Sequence, residues 1–224
     1  MLYSARHAAR RPTRRAGAVI IVIIASCILV TLGSVAGWAV AAGDKFRRDR
    51  TDSVAVIGDS FSSADRYSKA WPAIFAEARG FPVQNAAKGG RGYANGGFGR
   101  AVRSVTGDPD VIIIAGSRND VHRPDLVRPA ADDVFRRLKA DHPQARLVVI
   151  GPMWDSSEPE PGIVEANIEL AAAAKAAGAD YVDALSANWL GDPALIAPDH
   201  LHPNDAGALV LASNIDAALS RLGI

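Results

Sequence analysis

Residues 111–115 read Val-Ile-Ile-Ile-Ala, a run in which four of five residues are β-branched and none is polar. Successive side chains of a strand point to opposite faces, so this run leaves neither face for water. It fits a strand buried on both sides, as in a parallel sheet covered by helices. Residues 146–150 and 53–57 are similar apolar runs, each opened by one polar residue, 81–85 gives a further strand, and 181–182, ending at Asp183, gives a weaker fifth. Between these runs lie helical patterns at 66–79, 126–141, 162–177 and 204–221. In the second of them Leu126, Ala130, Val134 and Leu138 recur every four residues along one face. Pro203 stands where a first helical residue needs no N–H. Strands alternating with helices imply βαβ units and a three-layer α/β/α sandwich.

The N-terminal part is of another kind. Residues 1–15 hold five arginines (Arg6, Arg10, Arg11, Arg14, Arg15) and no acid, and residues 16–43 carry no charge at all. About 20 apolar residues suffice for a helix to cross a bilayer. Residues 16–43 are therefore expected to form a transmembrane signal-anchor, with 1–15 as a basic cytoplasmic tail and 44–52 as a charged linker. The arginine excess orients the remaining domain, 53–224, away from the cytoplasm. Lys45, Arg47, Arg48 and Arg50 follow the span but are diluted by Asp44, Asp49 and Asp52. The alternative is a cleaved secretory signal, with Ala39-Val40-Ala41 as its small-x-small site and a secreted domain as the product. The single cysteine, Cys27, lies inside the span, which excludes a disulfide framework and a cysteine-based metal site. Setting the five N-terminal arginines aside leaves 20 basic residues against 24 acidic ones. That balance argues against nucleic acid as a partner.

In an open α/β sheet, chemistry collects at the C-terminal ends of the strands. Gly58-Asp59-Ser60-Phe61 follows the first strand, so Ser60 sits on a turn where its own N–H can point at an oxyanion. The glycine-rich segment Asn85-Ala86-Ala87-Lys88-Gly89-Gly90-Arg91-Gly92-Tyr93 follows the second, and a glycine there lets a backbone N–H approach substrate. Gly116-Ser117-Arg118-Asn119-Asp120 follows the third and offers the Asn119 amide as a further donor. Near the C-terminus stands Asp199-His200-Leu201-His202-Pro203. A serine hydroxyl is a poor nucleophile at neutral pH until an imidazole takes its proton and a carboxylate steadies that imidazole. An aspartate three residues before a histidine can turn its carboxylate onto Nδ1, leaving the other ring nitrogen to face a serine.

These four blocks resemble those of the SGNH (GDSL-type) hydrolases, over roughly residues 53–221. The resemblance matches Ser60 to the nucleophile, Gly90 and Asn119 to oxyanion donors alongside the Ser60 N–H, and Asp199 and His202 to the rest of the triad. A shift of one place in the second block would make Gly89 the donor. His202-Pro203-Asn204 running into Ala206-Gly207 fits the same pattern. The resemblance implies a flavodoxin-like sandwich with a five-stranded parallel sheet. Two positions depart from the family: Ser117 replaces the usual glycine two residues before the asparagine, and Phe61 replaces the common leucine after the nucleophile.

The implied activity is ester hydrolysis through an acyl-enzyme on Ser60, with no metal or organic cofactor required. Location outside the cytoplasm points to small-molecule or glycan esters, short acyl chains on carbohydrate foremost. Two rivals stand beside it: an envelope acyltransferase using the same Ser60, and a non-catalytic glycan-binding module. The stretch from Gly89 to Gly99 is not a nucleotide loop, because no Gly-Lys-Ser/Thr ends it and Asn95 takes the last glycine position of a dinucleotide fingerprint. Asp199, His200 and His202 lack a second cluster that would complete a metal site. Asp59 and Asp120 are read as carboxylates that order loops through backbone hydrogen bonds. Trp71, Trp154 and Trp189 are read as packing residues, Trp154 alternatively as a cleft wall. His200 is read as a rim residue or a buried hydrogen-bonder, and His122 and His142 as surface or loop residues.

Overall fold

The structure, a computed structural model, describes residues 53–64, 67–155 and 157–224. The expected tail (1–15), span (16–43, with Cys27) and linker (44–52) lie outside the described residues. Among the described residues no helix is long and apolar enough to cross a membrane.

Five strands make one parallel sheet: β1 (Val54–Gly58), β2 (Val83–Asn85), β3 (Val111–Ala115), β4 (Arg146–Ile150) and β5 (Asp180–Val182). Their order is β2-β1-β3-β4-β5. The helices between them are α1 (Trp71–Arg79), α2 (Gly97–Ala101), α3 (Val127–Asp141), α4 (Pro161–Ala177) and α5 (Asp205–Arg221). Alternate residues of the central strands feed two separate cores. Ala55, Ile57, Ile112, Ile114, Leu147 and Val149 pack with α2, α3 and α4 on one side. Val54, Val56, Ile113, Ala115, Val148 and Ile150 pack with α1 and α5 on the other. The expected three-layer sandwich is therefore present, and burial on both faces is why the runs show no polar alternation.

Where the elements differ from expectation, backbone chemistry explains it. β2 begins at Val83 rather than 81, because Pro82 has no N–H to give a ladder, and Phe81 instead packs edge-on against Phe75 at 5.9 Å. The first helix begins at Trp71 rather than 66, since Pro72 is tolerated only in the first turn. Pro203 is not the first residue of α5. It lies one place before the N-cap Asn204, whose side chain accepts the Gly207 N–H at 3.0 Å. On α3 the core-facing residues are Val127, Ala131, Val134, Phe135 and Leu138, a face turned slightly from the expected one.

Strand order reverses at β1, with β2 on one side and β3 on the other. Loops leaving the C-terminal ends of neighbouring strands diverge at such a switch point and leave a crevice between them. The first three sequence blocks all emerge there.

Candidate active site

The turn after β1 is a single 3-10 turn, Ser60–Ser62, capped by Asp59, whose Oδ1 accepts the Phe61 N–H at 3.0 Å. Ser60 opens this turn half-buried. The second block runs alongside: the Ala86 and Lys88 N–H groups donate to the carbonyls of Val56 and Gly58 at 2.8 and 3.1 Å. This register carries the glycine loop past Ser60. A Cβ built on Gly89 would lie 3.7 Å from that of Ser60. Gly90 has φ +74°, a left-handed conformation that side chains strain to adopt, which gives a backbone reason for glycine at that position.

The third block meets the first through Asp59. Its Oδ2 accepts the Ser117 N–H at 2.7 Å, the Ser117 hydroxyl at 2.6 Å and an Asn119 Nδ2 hydrogen at 3.1 Å. The other Asn119 Nδ2 hydrogen goes to the Arg91 carbonyl at 2.9 Å. Asn119 is thus an exposed amide whose plane is held from both sides, between the residue before Ser60 and the residue after Gly90. Ser117, the departure from the family's glycine, adds a hydroxyl donor that glycine lacks. Asp120 orders the second block in turn, accepting the Tyr93 and Ala94 N–H groups at 3.0 and 2.8 Å. Both aspartates therefore serve as loop-ordering carboxylates, as expected from sequence. The side-chain partners of Asp59 were not foreseen.

Burial raises the Asp59 carboxyl to about 6; the Ser117 hydroxyl, the Phe61 and Ser117 N–H groups and Asn119 oppose that rise without cancelling it. Asp120 is raised in the same way, by burial against the Tyr93 and Ala94 N–H groups. Both carboxyls stand in a setting that resists their charge.

Asp199 and His202 belong to a different construction. An isolated antiparallel bridge between Ile196 and Pro203 closes a small hairpin, reinforced by the Ala197 N–H to the His202 carbonyl at 2.8 Å. Asn204 ties it down through Nδ2 to the Ala194 and Ile196 carbonyls at 2.8 and 3.3 Å. Gly207 admits the hairpin against α5, since a Cβ there would run into the Leu195 carbonyl oxygen. At the tip His200 takes φ 57°, and the chain turns so that Asp199 Oδ2 meets His202 Nδ1 at 2.7 Å. Asp199 Oδ1 accepts the Leu201 and His202 N–H groups at 3.1 and 3.0 Å. Burial pushes Asp199 up, but the His202 ring, these two N–H groups and the imidazole's charge outweigh it and hold the carboxyl below its usual range.

The His202 ring lies over the nucleophile turn. Its centroid is 5.9 Å from that of Phe61, tilted, and 6.4 Å from Tyr67, nearly parallel. Phe61, the second departure from the family, is buried in the core while touching the imidazole. Asp199 and His202 are joined directly, and Asn119 is joined to the turn that carries Ser60. Among the described residues no hydrogen bond links Ser60 to His202. Such bonds are often long before substrate binds.

Trp71 is fully buried, its Nε1 donating to Ser62 Oγ at 2.9 Å, and Trp189 packs against the same core. Trp154 is 5% exposed, and the Arg118 guanidinium, 4.4 Å from its ring, stacks on it while pairing with Asp155. All three tryptophans pack, Trp154 with the Arg118 guanidinium stacked on its ring. His200 is exposed and His122 likewise, and His142, read as a surface or loop residue, lies in the loop that follows α3 and is 9% exposed there.

Crevice, strand order and the four convergent blocks define a class, and residues 52–210 match the GDSL-like lipase/acylhydrolase family. The chain belongs to this family of ester-cleaving hydrolases. It is 34% identical over 191 residues to the GDSL lipase Rv0518 of Mycobacterium tuberculosis, covering 76% of this chain and 83% of that protein. Two solved structures share its fold. TesA superposes with a TM-score of 0.64 at 21% identity, over 76% of this chain and 99% of TesA. The psychrotrophic esterase EstA from Pseudoalteromonas sp., inhibited by monoethylphosphonate, superposes with a TM-score of 0.61 at 15% identity, over 77% of this chain and all of EstA.

Proposed function

We propose that this chain is a serine ester hydrolase held at, or released to, the outer side of a membrane, with Ser60, His202 and Asp199 as its triad. The observation that carries the reading is the 2.7 Å contact between Asp199 Oδ2 and His202 Nδ1 on a hairpin whose imidazole packs against Phe61, next to Ser60. Asp199 fixes the tautomer in which Nδ1 carries the proton, leaving Nε2 as the base. His202 takes the Ser60 proton as Oγ attacks the acyl carbonyl, and Asp199 steadies the imidazolium. The Ser60 and Gly90 N–H groups receive the oxyanion together with the Asn119 amide, whose Nδ2 hydrogen on the Arg91 carbonyl turns to it while Asp59 keeps the other. His202 protonates the leaving alcohol, and water repeats the sequence to release the acid.

The uncharged segment 16–43 supports the location, and the location favours short acyl esters of carbohydrate as substrate. An ester panel of increasing acyl length, run on the full chain beside Ser60→Ala, tests the proposal. Turnover of short-chain esters that disappears in Ser60→Ala is the expected result. Turnover that survives in Ser60→Ala overturns the triad, and release to an added sugar hydroxyl in preference to water would make the protein an acyltransferase.

A further inference from the structure

Asp59 meets hydrogen-bond donors on every recorded contact. Oδ1 takes one N–H, from Phe61, and Oδ2 takes three donors, from the Ser117 backbone, the Ser117 hydroxyl and the Asn119 amide. None of these groups is ionisable, and the side chain is fully buried. A carboxylic acid placed there would aim its own proton at a donor. Only the Ser117 hydroxyl can turn round to accept, and then its bond to the carboxylate is gone. The pocket is therefore built for the ionised form.

We propose that Asp59 is the positioning residue of the oxyanion hole: its carboxylate, supported by the Ser117 hydroxyl, fixes the Asn119 amide relative to the Ser60 turn, so that the hole is assembled only while Asp59 is ionised. The inference rests on the reading of Asn119 as an oxyanion donor, through the Nδ2 hydrogen that the Arg91 carbonyl takes in this structure while Asp59 holds the other. The carboxylate bridges elements that sequence keeps 58 and 60 residues apart, joining the nucleophile's turn to the donor's loop. Burial holds the Asp59 carboxyl at about 6, so the bridge is sensitive to mild acidification. Ser117 opposes that rise, and its hydroxyl extends the working range toward lower pH.

The test is the pH dependence of kcat and KM for hydrolysis of a short-chain ester by the full-length wild type, Ser117→Ala, Asp59→Asn and Ser60→Ala. The wild type is expected to lose kcat toward low pH as Asp59 gains its proton. Loss of one hydroxyl donor to a buried carboxylate is expected to move that limb up by about one pH unit in Ser117→Ala, a fall of about fivefold in kcat near pH 6 that approaches about tenfold at lower pH. Asp59→Asn is expected to lack this limb, with kcat lowered about 10–100-fold and KM little changed. A Ser117→Ala limb that superimposes on the wild type overturns the proposal, and so does wild-type kcat in Asp59→Asn. If Asp59→Asn does not fold, the Ser117→Ala limb decides. Hydrolysis that persists in Ser60→Ala contradicts the enzyme reading itself, whereas Ser60-dependent hydrolysis with an unmoved limb contradicts only the role of Asp59.

Discussion

The site joins two regions made on opposite plans. Ser60 and Asn119 rise from the ends of buried strands, and the loops that carry them are tied by Asp59 and Asp120, carboxylates that burial raises. Asp199 and His202 stand on a hairpin closed by one bridge and one asparagine, and there the carboxyl is held below its usual range. The same functional group thus does two jobs. In the floor it is scaffolding, charged at a cost in stability so that several loops share one acceptor. On the hairpin it stays near water, where ionisation costs little, and it holds the His202 ring through Nδ1. The hydrogen bond not formed, between Ser60 and His202, is the one that crosses from one region to the other.

The comparison breaks most sharply on the hairpin. Asp199→Asn keeps the shape but lets Nδ1 face an amide, and kcat is expected to fall by about 10⁴-fold, as when the equivalent carboxylate of other triads is made an amide. Steady-state ester hydrolysis checks this, and a loss under tenfold would show that Asp199 does not set the tautomer. On the floor, Asn119→Ala removes one of three donors, and the expected loss in kcat is about 10²–10³-fold with KM nearly constant. A change confined to KM would mean that Asn119 binds ground-state substrate instead.

The seam between hairpin and helix gives a smaller effect. Gly207→Val sets a side chain against the Leu195 carbonyl and shifts the hairpin relative to the floor. Turnover is expected to drop about tenfold through misplacement of His202, with a stability loss of about 1–3 kcal/mol. Thermal unfolding and kcat measured together separate the two.

The floor also leaves its mark on stability against pH. Asp59 has a folded value near 6, above its ordinary carboxyl range. Below about pH 4 it is protonated folded or unfolded and costs nothing. Between about pH 4 and 6 the native state keeps a proton that the unfolded chain has released, so stability falls as pH rises through that window, by up to about 3 kcal/mol. Asp120 acts in the same sense, whereas lowered Asp199 contributes stability that is lost as pH falls. The melting temperature of Asp59→Asn relative to wild type should therefore rise between pH 4 and pH 7. Parallel curves would show that Asp59 carries no such cost.

Much of this was legible in the chain because the signals are local. β3 and β4 are found at the expected residues, since an unbroken β-branched run admits one reading. The Asp199–His202 contact was also local, three residues apart and fixed by one turn. Helix α2 was not legible: Gly96, Gly97 and Gly99 give a weak helical signal, and the element exists because Phe98 is fully buried, edge-on to Tyr93 at 4.8 Å. The partners of Asp59 were hidden for the opposite reason. Ser117 and Asn119 reach it only through the β1–β3 pairing, and Ser117, a departure from the family, proves to be a donor to the buried carboxylate.

The measurement that bears most directly on the account is labelling by a fluorophosphonate, read by mass spectrometry in wild type and His202→Ala. A phosphonyl adduct on Ser60 alone, formed at least a hundredfold more slowly without His202, is the predicted result. No adduct on Ser60, or one formed equally fast in both proteins, would contradict the claim that hairpin and floor act as one site.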